Sequence, residues 1–219
     1  LTEGEAFNEV GATWSPDGTQ VAYFSNRTES AEWDLFDVHG VDLYVMDVAN
    51  GASRKIDTPV STKSTPAFSP DGKWIAYYAR KGLEDRWQNN NLWLVPADGS
   101  GEARELTAVY DIQISNDTMN DTGSGVQMAP TWAADSQRIF FQASQHGDTR
   151  LCSVAVDGSD WQTHLADGVV GAFTLDEAQE KVAYTFATLD EPMQLWVQEL
   201  ANGRLRKRTS FNSAWLRQT

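Results

Sequence analysis

Short apolar runs, not helical stripes, organise this chain. Four stretches rich in β-branched and aromatic residues recur: VAYF (21–24), IAYY (75–78), IFF (139–141) and VAYTF (182–186). Each is followed by a second run: DLYVMDV (42–48), NLWLVPA (91–97), RLCSVAV (150–156) and QLWVQEL (194–200). Such runs, bounded by Gly, Pro, Asn and Asp, predict strands. No window of about 11 residues carries a convincing helical period. Leu43, Leu92, Leu151 and Leu195 hold equivalent places in the second runs. Shortly after each stands Asn-Gly or Asp-Gly, at 50–51, 98–99, 157–158 and 202–203. These pairs supply the positive φ angles of tight hairpins. A short fourth strand follows, as in SRKIDT, ARELT and LRKRT.

The predicted strands belong to a longer repeat. ATWSPDGTQVAYFSNR (12–27) and TPAFSPDGKWIAYYAR (65–80) are near copies, and self-similarity is the first thing to explain in a sequence. Four copies place an aromatic three residues before an Asp: Trp14/Asp17, Phe68/Asp71, Trp132/Asp135 and Phe173/Asp176. In Ser-Pro-Asp-Gly, Pro presets φ, Asp suits the second central position and Gly accepts φ > 0. Asp17, Gly18, Asp71, Gly72, Asp135 and Asp176 are therefore read as turn formers, not as acid–base residues. Small residues precede each aromatic: Gly11 and Ala12, Pro66 and Ala67, Ala129 and Pro130, Gly171 and Ala172. They mark an inner strand where neighbouring units crowd an axis. Four-stranded antiparallel units with a narrow inner edge are β-propeller blades, so the expected fold is all-β. The Trp and Phe residues are expected to stack between blades.

The expected blades span 10–58, 59–107, 108–166 and 167–209. Residues 1–9 read as the end of a preceding blade and 210–219 as an exit segment. The four blades are expected to be part of a larger propeller. Insertions interrupt the rhythm at 26–40, at 80–90 and at 109–125, the last placed between the second and third blades. Loops on a rigid scaffold are where binding residues concentrate. Arg80, Glu84, Asp85 and Arg86 are the candidates for substrate gating.

Charge narrows the partners. With 31 acidic against 17 basic residues, the net charge is −14. That excludes a general nucleic-acid binder, which needs a basic footprint. The one basic cluster, RLRKR at 204–208, reads as a solvated outer strand. No apolar run approaches the roughly 18 residues of a membrane span. The single cysteine, Cys152, permits no internal disulfide and suits a reducing compartment, so a cytoplasmic location is expected.

Catalytic chemistry is missing from the pattern. There is no Gly-x-Ser-x-Gly elbow, and His39, His146 and His164 lie in unrelated places without metal-ligand spacing. Neither catalytic residues, nor a metal site, nor a cofactor is expected. Cys152 reads as a packed thiol.

The phrases WSPDGTQVAYFSNR, DLYVMDVANG, FSPDGKWIAYYAR, NLWLVPADGSGEARELT and WAADSQRIFFQAS resemble the propeller of the prolyl oligopeptidase family of serine peptidases, nearest its acylaminoacyl-peptidase and dipeptidyl-peptidase branch. The ending ELANGRLRKRTSFNSAWLRQT is similar to the exit from those propellers. Thr209, Asn212, Trp215 and Leu216 match its pattern, with Arg208 in place of the usual Leu. The resemblance implies a larger, seven-bladed type of propeller, acting as a non-catalytic cap that limits access of peptides to an α/β-hydrolase domain lying outside residues 1–219. It also implies a peptide substrate met through that domain, and a full enzyme that can form homo-oligomers. Two alternatives stay open. Tol-system propellers share Ser-Pro-Asp-Gly and bind proteins without catalysis. A sugar lyase or hydrolase propeller would need axial His or carboxylate clusters, which three scattered histidines do not readily supply.

Overall fold

A computed structural model describes residues 8–27, 40–82, 87–120, 123–124 and 127–216. Its first sheet runs β1 (Glu9–Trp14), β2 (Gln20–Ser25), β3 (Asp42–Asp47), β4 (Ser53–Ile56), all antiparallel and in chain order. The second repeats it with β5 (Lys63–Phe68), β6 (Trp74–Ala79), β7 (Asn91–Pro96) and β8 (Arg104–Glu105). After a short 3-10 turn at Ala108–Tyr110 come β9 (Gln113–Ile114), β10 (Met119–Asn120), β11 (Gly123–Ser124), β12 (Thr131–Trp132), β13 (Arg138–Gln145), β14 (Asp148–Ala155) and β15 (Gln162–Leu165). The last unit is β16 (Val169–Leu175), β17 (Lys181–Ala187), β18 (Gln194–Glu199) and β19 (Leu205–Lys207), followed by a one-turn helix α1 (Ser213–Leu216). The units are blades of a β-propeller arranged as an open arc.

The third and fourth blades are not separate sheets. A single parallel pairing, Thr149 with Val169, joins β14 to β16 and merges them into one nine-stranded sheet.

The middle strands of blades two and three are buried on both faces because a blade lies on either side, which is why IAYY and IFF read as continuous apolar runs. Blades one and two share a core of Phe24, Leu43, Val45 and Ile56 against Phe68, Ile75, Tyr77 and Val95. Blades two and three close on Tyr78, Leu92 and Leu94 against Ile114, Trp132, Ile139 and Phe141. Blades three and four meet at Phe140, Leu151 and Leu165 against Val170, Phe173, Val182 and Tyr184. Each such large side chain, taken from water, contributes about 1.5–3 kcal/mol.

The turn between the first two strands keeps one backbone frame in all four blades, and in the first three an Asp at the same place accepts bonds across it. In the first blade Gly18 N–H donates to Ser15 O (3.0 Å), and Asp17 Oδ1 accepts from Thr19 N–H (3.0 Å) and the Ser15 hydroxyl (2.6 Å). Asp71 does the same with Lys73 N–H (3.1 Å) and the Ser69 hydroxyl (2.6 Å). Asp135 accepts from Gln137 N–H (2.9 Å). In the fourth blade Asp176 takes the place of Ser15, two residues earlier in the turn than the repeat in the sequence predicts, and accepts from Glu180 and Lys181 N–H (both 2.8 Å). Gly18 and Gly72 sit at φ near +70°. Ser136 and Gln179 hold that conformation, at φ +61° and +53°, in the two turns that have lost Gly.

The small residues of the inner strands have a second role. Register slips between Val10 and Thr13, between Ser64 and Ala67, and between Val170 and Phe173, so each inner strand carries a bulge of two residues. At Gly171 a Cβ would come within 2.4 Å of Thr185 Oγ1, which only glycine avoids.

The third blade departs from this. Ile114 pairs with Ala143, and Thr131 with Phe140, both along β13. Residues 115–130 therefore stand where the other inner strands carry two bulge residues. The insertion placed between two blades from the sequence instead splits the innermost strand of the third.

Candidate functional site

Strand order sends the long loops to one edge of the arc. Each inner strand starts opposite the end of its second strand and the start of its third: Glu9 and Asp42 both pair with Ser25, and Lys63 and Asn91 both pair with Ala79. The described residues at 25–27, 80–82 and 113–117, from which the insertions leave the strands, stand at this edge. The Ser-Pro-Asp-Gly turns lie on the opposite edge.

Two clefts open there on either side of one residue pair, Gln113 and Asp117. A cleft of about 560 Å³ lies between blades two and three and is lined by Thr62, Ser64, Tyr78, Arg80, Asn90 and Gln127 as well as that pair. A second, of about 730 Å³, lies between blades three and four, lined by Thr118, Ser144, Asp148, Val169, Leu189 and Met193 as well as the pair.

The ridge between the clefts is held from below. Asp117 accepts from Gln113 Nε2 (2.6 Å) and its N–H donates to Ser144 Oγ (3.1 Å). Ser144 Oγ in turn donates to Ser115 O (2.8 Å). Asn116 Oδ1 accepts from Thr149 Oγ1 and from Thr118 N–H, both at 3.1 Å. On the return side, Met128 N–H donates to Gln142 Oε1 (3.1 Å), and Gln142 Nε2 donates to Val170 O and Gly171 O. Both stems of the insertion are thus pinned, and the exposed Asp117 carboxylate is presented at the edge.

Of the candidate gating residues, Arg80 lines the first cleft and its Nε donates to Thr62 Oγ1 (3.3 Å). Glu84, Asp85 and Arg86 lie outside the described residues. Gln113, Asp117, Ser144 and Thr149 were missed in the sequence, because nothing local marks a two-residue strand or the span that separates its halves.

Lys63 is buried in the inner strand of blade two. Its Nζ donates to Val41 O (2.8 Å) and Pro59 O (2.7 Å). Burial lowers its pKa to about 8, against the pull of Asp42. Among the described residues Ser153 Oγ lies 2.8 Å from His164 Nε2. Ser153 is fully buried, also accepts from Arg138 Nη1 (2.9 Å), and no carboxylate holds the imidazole. Burial, then Arg138, lowers the His164 pKa. This pair packs a blade and does not form a nucleophile. Burial pushes the Cys152 thiol up to about 11, so it is a poor thiolate. Among the described residues no three His, Cys, Asp or Glu side chains stand together to hold a metal ion. No helix among them is long and apolar enough to cross a membrane.

No family profile matches the chain. It is 27% identical over 146 residues to dipeptidyl-peptidase 5 of Porphyromonas gingivalis, covering 66% of this chain and 19% of that protein. It is 23% identical over 260 residues to the uncharacterized peptidase YuxL of Bacillus subtilis, covering 84% of this chain and 39% of the relative. The Tol-Pal system protein TolB of Francisella tularensis is 32% identical over 74 residues, 34% of this chain and 15% of that one. Among solved structures, a putative dipeptidyl aminopeptidase IV from Bacteroides ovatus superposes with a TM-score of 0.68 at 14% identity, over 94% of this chain and 35% of that one. The chain therefore spans between a fifth and two fifths of the length of the two peptidases.

Proposed function

The chain is a relative of the prolyl oligopeptidase family of serine peptidases, and on that footing we propose that it is the non-catalytic propeller cap of such an enzyme. In this reading it gates the passage of peptides to an α/β-hydrolase domain. The observation that carries it is the pair of clefts that open on one edge of the arc on either side of Gln113 and Asp117. A ring edge filters by size, and loops standing on it set what enters.

Residue roles follow from position. Arg80, which lines the first cleft, gates it. Asp117, exposed on the ridge and supported by Gln113, holds a cationic group of the peptide.

The experiment uses the natural polypeptide that carries this segment. Residues 115–130 are replaced by Gly-Ala, the length of the bulge in the other blades. Hydrolysis of a short aminoacyl p-nitroanilide should change less than about threefold, while cleavage of a long unfolded polypeptide should rise roughly tenfold as the gate is lost. Unchanged size selection would overturn the gating role.

The TolB likeness supports a second reading, in which the same edge docks a protein and no hydrolysis occurs. Absence of any peptidase activity in the natural polypeptide would favour it.

A further inference from the structure

The first cleft, between blades two and three, holds a hydroxyl that has nothing to bond. Tyr78 lines this cleft, is 1% exposed, and packs its ring in the core between the two blades. Its Oη has no hydrogen-bond partner. Buried hydroxyls are nearly always paired, and leaving one unpaired is costly. Other buried polar atoms among the described residues also lack a partner, but of those residues only Tyr78 lines either of the two clefts. Burial pushes the phenol's pKa up, so the group stays protonated and is able to donate.

Strand register sets further donors beside it. Ser64 pairs with Tyr78 across β5 and β6, so the two side chains share a face. Two residues further along the same face, Arg80 donates from Nε to Thr62 Oγ1 (3.3 Å). Ser64 Oγ accepts from Gln127 Nε2 at 3.4 Å, a long bond at an exposed position, which leaves the Ser64 proton to be donated. Tyr78, Ser64 and Arg80 thus present donors and a positive charge on one wall of the cleft. Asp117, from blade three, stands on the other wall with its carboxylate exposed.

We propose that this cleft binds the carboxylate of a short zwitterionic peptide, its oxygens accepting from Tyr78 Oη, Ser64 Oγ and the Arg80 guanidinium while Asp117 holds the ammonium group. Each charge of the ligand then meets an opposite charge of the wall. A zwitterion suits the cleft better than a simple anion, because a chain with a net charge of −14 repels anions. A carboxylate also takes stronger bonds from these donors than a neutral carbonyl does. The choice of a peptide rests on the cap reading above, whereas the carboxylate site rests on the donors alone.

The test is calorimetric binding of trialanine and of trialanine amide to the natural polypeptide that carries this segment, treated first with phenylmethylsulfonyl fluoride so that no peptide is consumed. The amide should bind about tenfold more weakly, the scale of a hydrogen bond to a charged group. Tyr78→Phe should cut that preference by about threefold or more. The same variant should keep or raise the urea midpoint, because its hydroxyl has no partner to lose. Arg80→Gln should cut the preference as well. Equal binding of the two peptides, or binding of neither, overturns the proposal, as does a preference unchanged in Tyr78→Phe. Hydrolysis of an aminoacyl p-nitroanilide, which has no carboxylate, is measured in parallel on the untreated polypeptide. Hydrolysis without a carboxylate preference defeats this inference and spares the cap. A carboxylate preference without hydrolysis supports the site and defeats the cap alone.

Discussion

Gln142 donates from Nε2 to the Gly171 carbonyl at 2.7 Å, and this bond ties the third blade to the bulge of the fourth. The same nitrogen reaches Val170 O at 2.9 Å, and Oε1 accepts from Met128 N–H at 3.1 Å. Every polar atom of a fully buried amide is thus used. Gln142→Leu leaves two carbonyls and one N–H buried without partners. The expected loss is about 2–4 kcal/mol, since each orphaned group costs about 1–3 kcal/mol. Urea denaturation measures it, and a loss below about 1 kcal/mol would show that the bridge does not hold the insertion's stem.

Trp132 separates packing from hydrogen bonding. Trp132→Phe keeps an aromatic in the junction and gives up the N–H donated to Ala67 O, for a loss of about 1 kcal/mol. Trp132→Ala opens a cavity in the core of blades two and three and should cost about 3–5 kcal/mol. Equal losses in the two variants would mean that the indole N–H, and not its bulk, dominates.

Asp71 gives the turn a pH dependence. Hydrogen bonds from Ser69, then from Lys73, hold its carboxyl below the ordinary value of 3.8. A depressed acid stabilises the fold above its unfolded pKa, and that contribution is lost as pH falls through the folded pKa. Asp71→Asn keeps an acceptor and removes the charge. At this surface site the variant should lose only about 0.5 kcal/mol at pH 7. The gap to wild type should close as pH falls from above the ordinary 3.8 through the lower folded value. A gap that persists there would assign the effect to geometry and not to ionisation.

Lys63 acts at the other end of the scale with a slope of the same sign. Its folded pKa of about 8 lies below the ordinary 10.5. Between these values the unfolded chain binds the extra proton, so stability from this group rises with pH. The rise is on the order of 3 kcal/mol across the window. Lys63→Met should abolish it, read as the difference between wild type and variant in urea midpoints at pH 7.5 and 9.5. A constant difference would mean that Lys63 stays charged on its two carbonyl acceptors throughout.

What could be read from the sequence was what short-range chemistry writes. Asp17 and Gly18 specify a turn within four residues, and alternation of runs and Asn-Gly pairs specifies the strands around it. What could not be read depends on distant partners. Nothing in Gln113–Ile114 says that they pair with Ser144 and Ala143, so the insertion was placed outside the blade that it splits. Asp117 gains meaning only from the two clefts that it separates. The buried state of Lys63 comes from the carbonyls of Val41 and Pro59, and no pattern along the inner strand signals it. The small pairs Gly11–Ala12 and Gly171–Ala172 were visible as crowding, whereas their bulges required the register.

The central claim, a cap without its own nucleophile, is tested most directly by labelling with a fluorophosphonate probe, which reacts with activated serines. The natural polypeptide that contains residues 1–219 should label at a serine outside them, and the 219-residue chain alone should not label. Labelling of any serine within 1–219, or none in the natural polypeptide, would contradict it.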